Sequence, residues 1–300
     1  MVEAVSRAHA FAPAATPVIL YGESGTGKTF FAEYIHELSG RSGGFHPFSV
    51  GTVASQLALD ELFGHVKGAY TDAKQLRAGH IATASGGSLL LDDFQTLDLG
   101  VQKQLLQVFD RGTYSPVGSD RVLTVACRFI LAMTEAPEQL MKQGALLKDL
   151  RYRFGACAIR LPPLRERRDE IPLLAYRALA RCEDHTKLEG PSRFDDAAIA
   201  RLRNGQYEGN VRQLCGVVEY GYLMARTAGR SEIRAEHLPA ELLTELQYKR
   251  HGDPEQNRVV VENTLQMTGG NVKAAAKLLG ISRNALNAFR VAKELGGPNR

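Results

Sequence analysis

The residues with the clearest chemical meaning form one short segment, Gly22-Glu23-Ser24-Gly25-Thr26-Gly27-Lys28-Thr29, which fits the pattern G-x-x-x-x-G-K-[ST]. Glycines in such a loop let consecutive main-chain N–H groups turn inward around a polyphosphate. The ammonium of Lys28 then reaches the β- and γ-phosphates, and the Thr29 hydroxyl takes a place on Mg²⁺. A glycine-rich turn with a chance lysine is the alternative. The order of strand, loop and helix around the segment favours phosphate binding.

Two adjacent carboxylates, Asp92 and Asp93, follow the apolar run Ser88-Leu89-Leu90-Leu91. Ligands of parallel sheets bind beyond the carboxyl ends of the strands, where such side chains lie. We expect Asp92 to hold Mg²⁺ through water and Asp93 to polarise the attacking water. An acidic turn without a catalytic role is the alternative, which the phosphate loop earlier in the chain disfavours.

The elements that must position these groups alternate between strand-like and helix-like segments over residues 1–170. This alternation predicts an α/β fold with a parallel sheet covered by helices. The helix after the phosphate loop aims its N-terminal dipole at the phosphates. The predicted strands are 17–21, 88–92 and 127–133, and the predicted helices are 28–38, 98–110 and 136–143.

The rest of the chain divides into three parts. Residues 171–246 read as mostly helical, residues 247–257 as a polar linker that contains Gly and Pro, and residues 258–300 as a compact helical module. The helices predicted in the first part are Ile171 to Cys182, Asp195 to Arg203, Asn210 to Arg226 and Ala235 to Leu246.

Composition excludes several classes of protein. With 300 residues and 44% hydrophobic content, the chain can bury a sizeable core. No apolar run approaches the ~20 residues of a membrane span, and the first residues do not form a secretory signal. The four cysteines are scattered, without C-x-x-C spacing, as in a reduced cytoplasmic protein. We therefore expect a cytoplasmic location and no membrane partner.

The C-terminal module reads as a helix-turn-helix. Leu279-Gly280-Ile281 forms the turn, and Ser282 caps the following helix, which can enter a major groove. Residues 258–300 hold seven Lys or Arg against two acids, a surplus of five in a chain of net charge +4. A helical hairpin used for dimerisation is the alternative; the basic charge favours DNA. The predicted DNA contacts are Lys273, Lys277, Arg283, Asn284, Asn287 and Arg290.

Longer motifs carry a resemblance to a known family. Three stretches occur in the family's order. They are Glu61-Leu62-Phe63-Gly64-His65-Val66-Lys67-Gly68-Ala69-Tyr70-Thr71-Asp72-Ala73, Leu161-Pro162-Pro163-Leu164-Arg165-Glu166-Arg167-Arg168-Asp169-Glu170-Ile171 and Gly209-Asn210-Val211-Arg212-Gln213-Leu214. Together with the phosphate loop they resemble the AAA+ domain of sigma-54-dependent transcription activators, the bacterial enhancer-binding proteins, over about residues 5–240. The C-terminal module is similar to the Fis-like DNA-binding domain of that family.

The resemblance implies an AAA+ P-loop ATPase core, an α-helical lid and a C-terminal helix-turn-helix. It also implies a homo- or hetero-oligomeric ring, a hexamer, with ATP at the subunit boundaries. The GAFTGA loop of the family acts on sigma-54 RNA polymerase at promoters with upstream, enhancer-like DNA sites. Here that loop reads Gly68-Ala69-Tyr70-Thr71-Asp72-Ala73. Asp72 replaces a glycine, which adds a charge and restricts the backbone.

The resemblance also implies roles for two arginines. Arg212 matches the lid arginine that senses nucleotide in cis, and Arg153 matches an arginine finger that acts in trans on the γ-phosphate. An ordinary helix-surface arginine is the alternative for Arg212, and a surface salt bridge is the alternative for Arg153. Leu147 occupies the other finger position and cannot donate charge, although Arg151 is near enough in sequence to substitute.

Other positions depart from the family in the hydrolytic machinery. Asp93 stands where the family has Glu, Thr134 stands where it has Asn, and the Asn-Cys pair expected between Phe48 and Glu61 is missing. Nucleotide-binding residues are thus better preserved than hydrolytic ones. ATP and Mg²⁺ are the expected cofactors, and these residues do not by themselves predict rapid turnover.

Three hypotheses follow. The first is an ATP hydrolase that remodels sigma-54 RNA polymerase while bound to DNA. Because the chain begins almost at the ATPase, we do not expect a receiver or ligand domain. Regulation would then come from a partner protein, from expression level or from hetero-oligomer formation. The second is an ATP-binding, DNA-binding regulator with weak or no hydrolysis and no sigma-54 remodelling, which Leu147 and Asp72 motivate. The third, a small-molecule kinase, is disfavoured by the lid motif and the DNA module.

Overall fold

The computed structural model describes residues 1–70, 75–186 and 190–239, together with Val261, Leu265, residues 272–279 and Leu286. The chain divides into two compact units, Met1–Arg167 and Arg168–Arg300.

The first unit is built on a parallel sheet. Its strands, in chain order, are β1 (Val18–Tyr21), β2 (Phe45–Ser49), β3 (Gly64–His65), β4 (Arg77–Ala78), β5 (Ser88–Asp92), β6 (Thr113–Tyr114), β7 (Leu123–Thr124), β8 (Arg128–Met133) and β9 (Ala158–Arg160). The central sheet has five strands in the order β2-β5-β8-β1-β9, and every neighbouring pair runs parallel. Strands β3 and β4 form one antiparallel hairpin, and β6 and β7 form another.

Helices cover both faces of the central sheet. They are α1 (Val2–Phe11), α2 (Lys28–Leu38), α3 (Ser55–Phe63), α4 (His80–Thr83), α5 (Leu99–Arg111), α6 (Pro137–Lys142) and α7 (Lys148–Phe154). Successive residues of a strand point to opposite faces. Accordingly, Leu89 and Leu91 of β5 pack with Leu105 of α5, whereas Leu90 packs on the other face with Ile35 of α2. Strands buried on both faces explain the continuous apolar runs in the sequence.

One charged side chain lies inside the core of the first unit. Arg128, at the start of β8, is 1% exposed. Its Nη1 donates to the carbonyl of Ala12 at 2.5 Å and its Nη2 to that of Phe11 at 2.6 Å. The last carbonyls of a helix lack partners within the helix, so a buried guanidinium satisfies them. Arg128 therefore ties the end of α1 to the sheet.

The elements predicted from the apolar pattern correspond closely to the observed ones. The strands predicted at 17–21, 88–92 and 127–133 are β1, β5 and β8, and the helix predicted at 28–38 is α2. Within the central sheet, the pattern missed β2 and β9. Strand β2 contains His46 and Pro47, and Pro is tolerated there because β2 lies at an edge of the sheet. Strand β9 has only 3 residues, too few to show a period.

The second unit is mainly helical. It contains α8 (Ile171–Thr186), β10 (Arg193–Phe194), α9 (Asp196–Asn204), α10 (Asn210–Thr227), β11 (Glu232–Ile233) and α11 (Val272–Leu278). The carboxylate of Asp195 caps α9 by accepting from the N–H of Ala198 at 2.6 Å. None of the helices in the described part of the chain is long and apolar enough to cross a lipid bilayer.

The helix predicted from Ala235 to Leu246 is wrong at its start. A 3₁₀ turn spans Ala235–His237, and Leu238 is extended, with φ −85° and ψ 149°. The ring of Pro239 disfavours the helical conformation in the residue before it, which explains the break. Residues 240–246 lie outside the described ranges.

Candidate nucleotide-binding site

The phosphate loop joins the end of β1 to the start of α2. Gly27, the residue before α2, has φ 98° and ψ 28°, in the left-handed region that side chains disfavour. Gly22 approaches another segment closely, because a Cβ built on it would lie 2.5 Å from the carbonyl oxygen of Leu161. The backbone thus requires glycine at both positions. The loop ends at the N-terminus of a helix, where N–H groups and the helix dipole favour an anion.

Lys28 lies inside the curve of this loop and is 7% exposed. Its ammonium donates to the carbonyl of Gly22 at 2.8 Å and to that of Glu23 at 3.2 Å. The hydroxyl of Thr26 donates to the same Glu23 carbonyl at 2.8 Å. The loop is therefore closed around its own lysine, with the positive charge at the place where a polyphosphate would bind. This geometry fits a nucleotide.

Thr29 and Asp92 bring together the two candidate Mg²⁺ ligands. The Thr29 hydroxyl donates to Oδ2 of Asp92 at 3.3 Å. The other oxygen of Asp92, Oδ1, accepts from the main-chain N–H of Asp93 at 3.0 Å. A hydroxyl and a carboxylate oxygen this close can share one hard cation, and oxygen ligands are those that Mg²⁺ prefers. The donor set therefore fits the expected metal.

Asp93 has an unusual backbone conformation for a residue with a side chain. Its φ is 57°, and the carbonyl of Asp93 accepts from the N–H and the hydroxyl of Thr96 at 2.9 and 2.8 Å. A Cβ built on Gly51 would lie 3.3 Å from the Cβ of Asp93 and 3.5 Å from its Oδ2. Left-handed non-glycine residues concentrate at functional sites, because the surroundings must hold them there.

Sequence reasoning did not assign a role to the two arginines that contact the loop. The Arg165 guanidinium donates to both carboxylate oxygens of Glu23, at 2.8 and 2.5 Å, and these hydrogen bonds raise the pKa of Arg165. Arg167 donates to the carbonyl of Thr26 at 2.7 Å. Both arginines belong to the Leu161–Ile171 signature, which indicated the family but carried no sign of these contacts.

The predicted trans finger lies on α7 and contacts its own chain outside the phosphate loop. Nη1 of Arg153 is 2.5 Å from Oδ1 of Asp110 on α5. Arg151, two residues earlier, pairs with Glu138 of α6, with Nε 2.7 Å from Oε1. Leu147 is partly buried against the core of the unit.

Thr134 and Arg212 are two further positions that the sequence singled out. Thr134 follows β8 directly and is partly buried. Arg212 lies in the first turn of α10, in the second unit. The Gly209–Leu214 motif that contains Arg212 forms the start of that helix, where the N–H of Gly209 donates to Oε1 of Gln213 at 2.9 Å.

The GAFTGA-like loop falls between β3 and β4 in the sequence. Gly68, Ala69 and Tyr70 are described, whereas Thr71, Asp72 and Ala73 lie outside the described residues. The hydroxyl of Tyr70 is 3.4 Å from Nδ1 of His65, and the two rings meet edge to face with centroids 5.1 Å apart. Nδ1 of His65 is also 2.6 Å from Oδ1 of Asp60.

A second hairpin, β6–β7, is joined to the first by main-chain contacts. The N–H of Val117 donates to the carbonyl of Gly64 at 2.8 Å, and the N–H of Val66 donates back to the carbonyl of Val117 at 3.2 Å. A Cβ built on Gly118 would lie 2.6 Å from the Cβ of Ala69. The base of the GAFTGA-like loop is therefore held by a neighbouring hairpin.

The predicted DNA-binding residues are only partly described. Lys273 is exposed and Lys277 lies in the same short helix, α11. Val261, Ala275, Ala276 and Leu286 are buried together. The remaining predicted contacts lie outside the described residues: Arg283, Asn284, Asn287 and Arg290.

Comparisons with known families agree with this architecture. Residues 1–160 match the Sigma-54 interaction domain, residues 165–254 the AAA+ ATPase lid domain, and residues 254–288 the bacterial regulatory protein, Fis family. The fold and site define an α/β P-loop domain, and the matches identify it as AAA+ with a lid and a Fis-type helix-turn-helix. The chain belongs to the sigma-54 interaction domain family.

Several named proteins are similar over most of this chain. LuxO of Vibrio vulnificus is 33% identical over 287 residues, which cover 90% of this chain and 62% of LuxO. GlrR of Escherichia coli is 32% identical, with 94% and 64% covered. The crystal structure of NtrX from Brucella abortus in complex with ATP has a TM-score of 0.70 at 25% identity, over 99% of this chain and 68% of NtrX. The chain spans less than two thirds of the length of LuxO and GlrR.

Proposed function

We propose that this chain is an ATP-dependent transcriptional regulator that binds DNA and remodels sigma-54 RNA polymerase. The observation that carries the proposal is the contact between Thr29 and Asp92, 3.3 Å apart, which joins the phosphate loop to the acidic strand end within a sigma-54 interaction domain. The family membership supports the polymerase partner, and the Fis-type match over residues 254–288 supports DNA binding.

In this proposal the chain's own residues divide the work of hydrolysis. The loop N–H groups and Lys28 bind the phosphates, and Thr29 with Asp92 would hold Mg²⁺. Mg²⁺ held there would neutralise charge on the phosphates. The carboxylate of Asp93, fixed by its left-handed backbone, orients and polarises the attacking water.

The remaining roles depend on other subunits and on partners. Arg212 senses the nucleotide in cis, and Arg153 acts on the nucleotide of the adjacent subunit in a hexameric ring. The Gly68–Ala73 loop contacts sigma-54, with Tyr70 as its aromatic residue. DNA contacts come from the module after residue 257, at enhancer-like sites upstream of the promoter. A protein with these partners works in the cytoplasm.

The decisive experiment is in vitro transcription from a sigma-54 promoter with purified polymerase and ATP. Wild-type protein should activate transcription. Lys28→Ala should abolish both ATP binding and activation, whereas Tyr70→Ala should retain ATP turnover and lose activation. Lys103→Ala, which changes an exposed lysine of α5, serves as the matched control and should behave as wild type.

The same experiment separates the proposal from its alternative. If wild-type protein binds ATP and DNA but neither hydrolyses ATP nor activates the promoter, the chain is a nucleotide-binding regulator without remodelling activity. If the chain fails to bind ATP, the proposal is overturned at its first step.

A further inference from the structure

Arg153 and Asp110 form an ion pair between two helices of the same chain. Asp110 lies in the last turn of α5, and Arg153 lies near the end of α7. The Nη1–Oδ1 distance is 2.5 Å, and the guanidinium carbon lies 5.8 Å from the ring centroid of Phe154. A guanidinium in this position has its charge balanced and one of its donors occupied by a carboxylate of its own subunit.

Arg151, the other arginine near a finger position, is held in a similar way. Its Nε is 2.7 Å from Oε1 of Glu138. Both arginines of α7 therefore pair with acidic side chains of their own subunit. The two pairs use different partners, Asp110 on α5 and Glu138 on α6, so each can be broken separately by mutation.

The intact Arg153–Asp110 pair works against action on a γ-phosphate. If Arg153 reached the nucleotide of another subunit while still paired, it would bring the Asp110 carboxylate beside a polyanion, and like charges at short range repel. The arginine must therefore exchange one anion for another. Its donor groups and charge suit carboxylate and phosphate alike, because the guanidinium forms charge-assisted hydrogen bonds with both.

We propose that Asp110 is a holding group for Arg153, which it retains within its own subunit until an ATP-loaded neighbour supplies a competing anion. This inference rests on the proposed function, since it requires a nucleotide site shared between copies of the chain. The exposure of the pair makes the exchange feasible: the side chain of Arg153 is 48% exposed and that of Asp110 is 39% exposed. Exposed ion pairs are weak and reversible, so a triphosphate can displace the Asp110 carboxylate from the Arg153 guanidinium.

The test is assembly measured by analytical ultracentrifugation on the full chain, with a non-hydrolysable ATP analogue or with ADP. Asp110→Asn removes the holding charge with little change in shape. Glu138→Gln makes the equivalent change at the Arg151 pair and is the matched control. Arg153→Ala, alone and combined with Asp110→Asn, establishes whether any effect passes through Arg153.

With the ATP analogue, Asp110→Asn should lower the concentration for half-assembly about two- to fivefold, the range that an exposed ion pair can supply. With ADP, which lacks the γ-phosphate, the midpoint should not move. Glu138→Gln should assemble as wild type does, and Asp110→Asn should have no effect once Arg153 is alanine. A merely structural role for Asp110 would shift both nucleotide states equally.

Three results would overturn the inference. They are an unchanged midpoint in Asp110→Asn, an equal shift with ADP, and a shift that persists without Arg153. If wild-type chain binds the ATP analogue yet never assembles, the shared site itself is refuted and the inference falls with it. That outcome is distinct, because in the first three the wild type still assembles.

Discussion

Arg167 donates a hydrogen bond from Nη2 to the main-chain carbonyl of Thr26 at 2.7 Å, between residues 141 positions apart. Thr26 lies within the phosphate loop, and its hydroxyl bonds back to the loop at Glu23. Arg167 therefore acts on the backbone of the loop. A contact of this kind restrains the conformation that the N–H groups must hold around a nucleotide.

Replacing Arg167 with Gln should weaken ATP binding about tenfold, the loss expected for one hydrogen bond from a charged donor. Arg165→Gln is the matched control. It breaks an exposed ion pair with the Glu23 side chain and should change affinity about twofold or less. Isothermal titration with an ATP analogue measures both. Equal effects of the two substitutions would refute a backbone-positioning role for Arg167.

Asp93→Asn should separate binding from hydrolysis. Asn tolerates the left-handed conformation that Asp93 adopts at φ 57°, so the local backbone should survive. The amide cannot accept a proton from water, and loss of general-base assistance typically costs about 10²–10⁴ in rate. ATP affinity should remain close to that of wild type. Steady-state turnover and nucleotide titration on the same preparation give the two values, and turnover equal to wild type would exclude Asp93 from the reaction.

Asp93→Glu tests the shorter reach of the aspartate. A side chain one methylene longer should increase turnover if reach limits the reaction. The increase should appear in kcat with KM unchanged, because the phosphate contacts are not altered. A fall in kcat would show that the site is shaped around aspartate, in keeping with the close approach of Gly51 to Asp93.

Arg128→Met should destabilise the first unit by about 3 kcal/mol, because two charge-assisted hydrogen bonds are lost. One of them satisfies the buried carbonyl of Ala12, whereas the carbonyl of Phe11 keeps the N–H of Ala14 as a donor at 3.1 Å. Arg7→Met is the control. Arg7 donates to the carbonyl of Ala158 at 3.0 Å but its side chain is 47% exposed, so the cost should be about 1 kcal/mol or less. Urea denaturation followed by circular dichroism measures both, and similar midpoints for the two variants would contradict the expectation.

Cys127 should react slowly with alkylating reagents. Burial raises the pKa of its thiol to about 11, against a usual value of 9.0. The reactive thiolate is thus scarcer at every pH below the raised pKa, by about a hundredfold near pH 8. Iodoacetamide labelling with quantification of each cysteine by mass spectrometry should show Cys127 protected in the folded chain and reactive after denaturation. Equal rates in the two states would contradict the raised pKa of this partly buried thiol.

The sequence predicted those parts of the site whose signals are local. The phosphate loop, helix 28–38 and the strand ending at Asp92 each depend on consecutive residues, and all are found where expected. The contacts that support the site join distant segments instead. Arg167 reaches Thr26 and Arg153 reaches Asp110, and no spacing rule connects such pairs. The roles of these residues stay predictions until the variants above are measured.

The close fit between Gly118 and Ala69 allows movement of the GAFTGA-like loop to be measured by fluorescence. Because a single methyl group on Gly118 would collide with Ala69, the two hairpins have almost no room to slide past each other and should travel together. The chain contains no tryptophan, so one indole placed at exposed Asp120 would be its sole long-wavelength fluorophore. The emission of such a tryptophan would report movement of the neighbouring GAFTGA-like loop without any change to the residues of that loop.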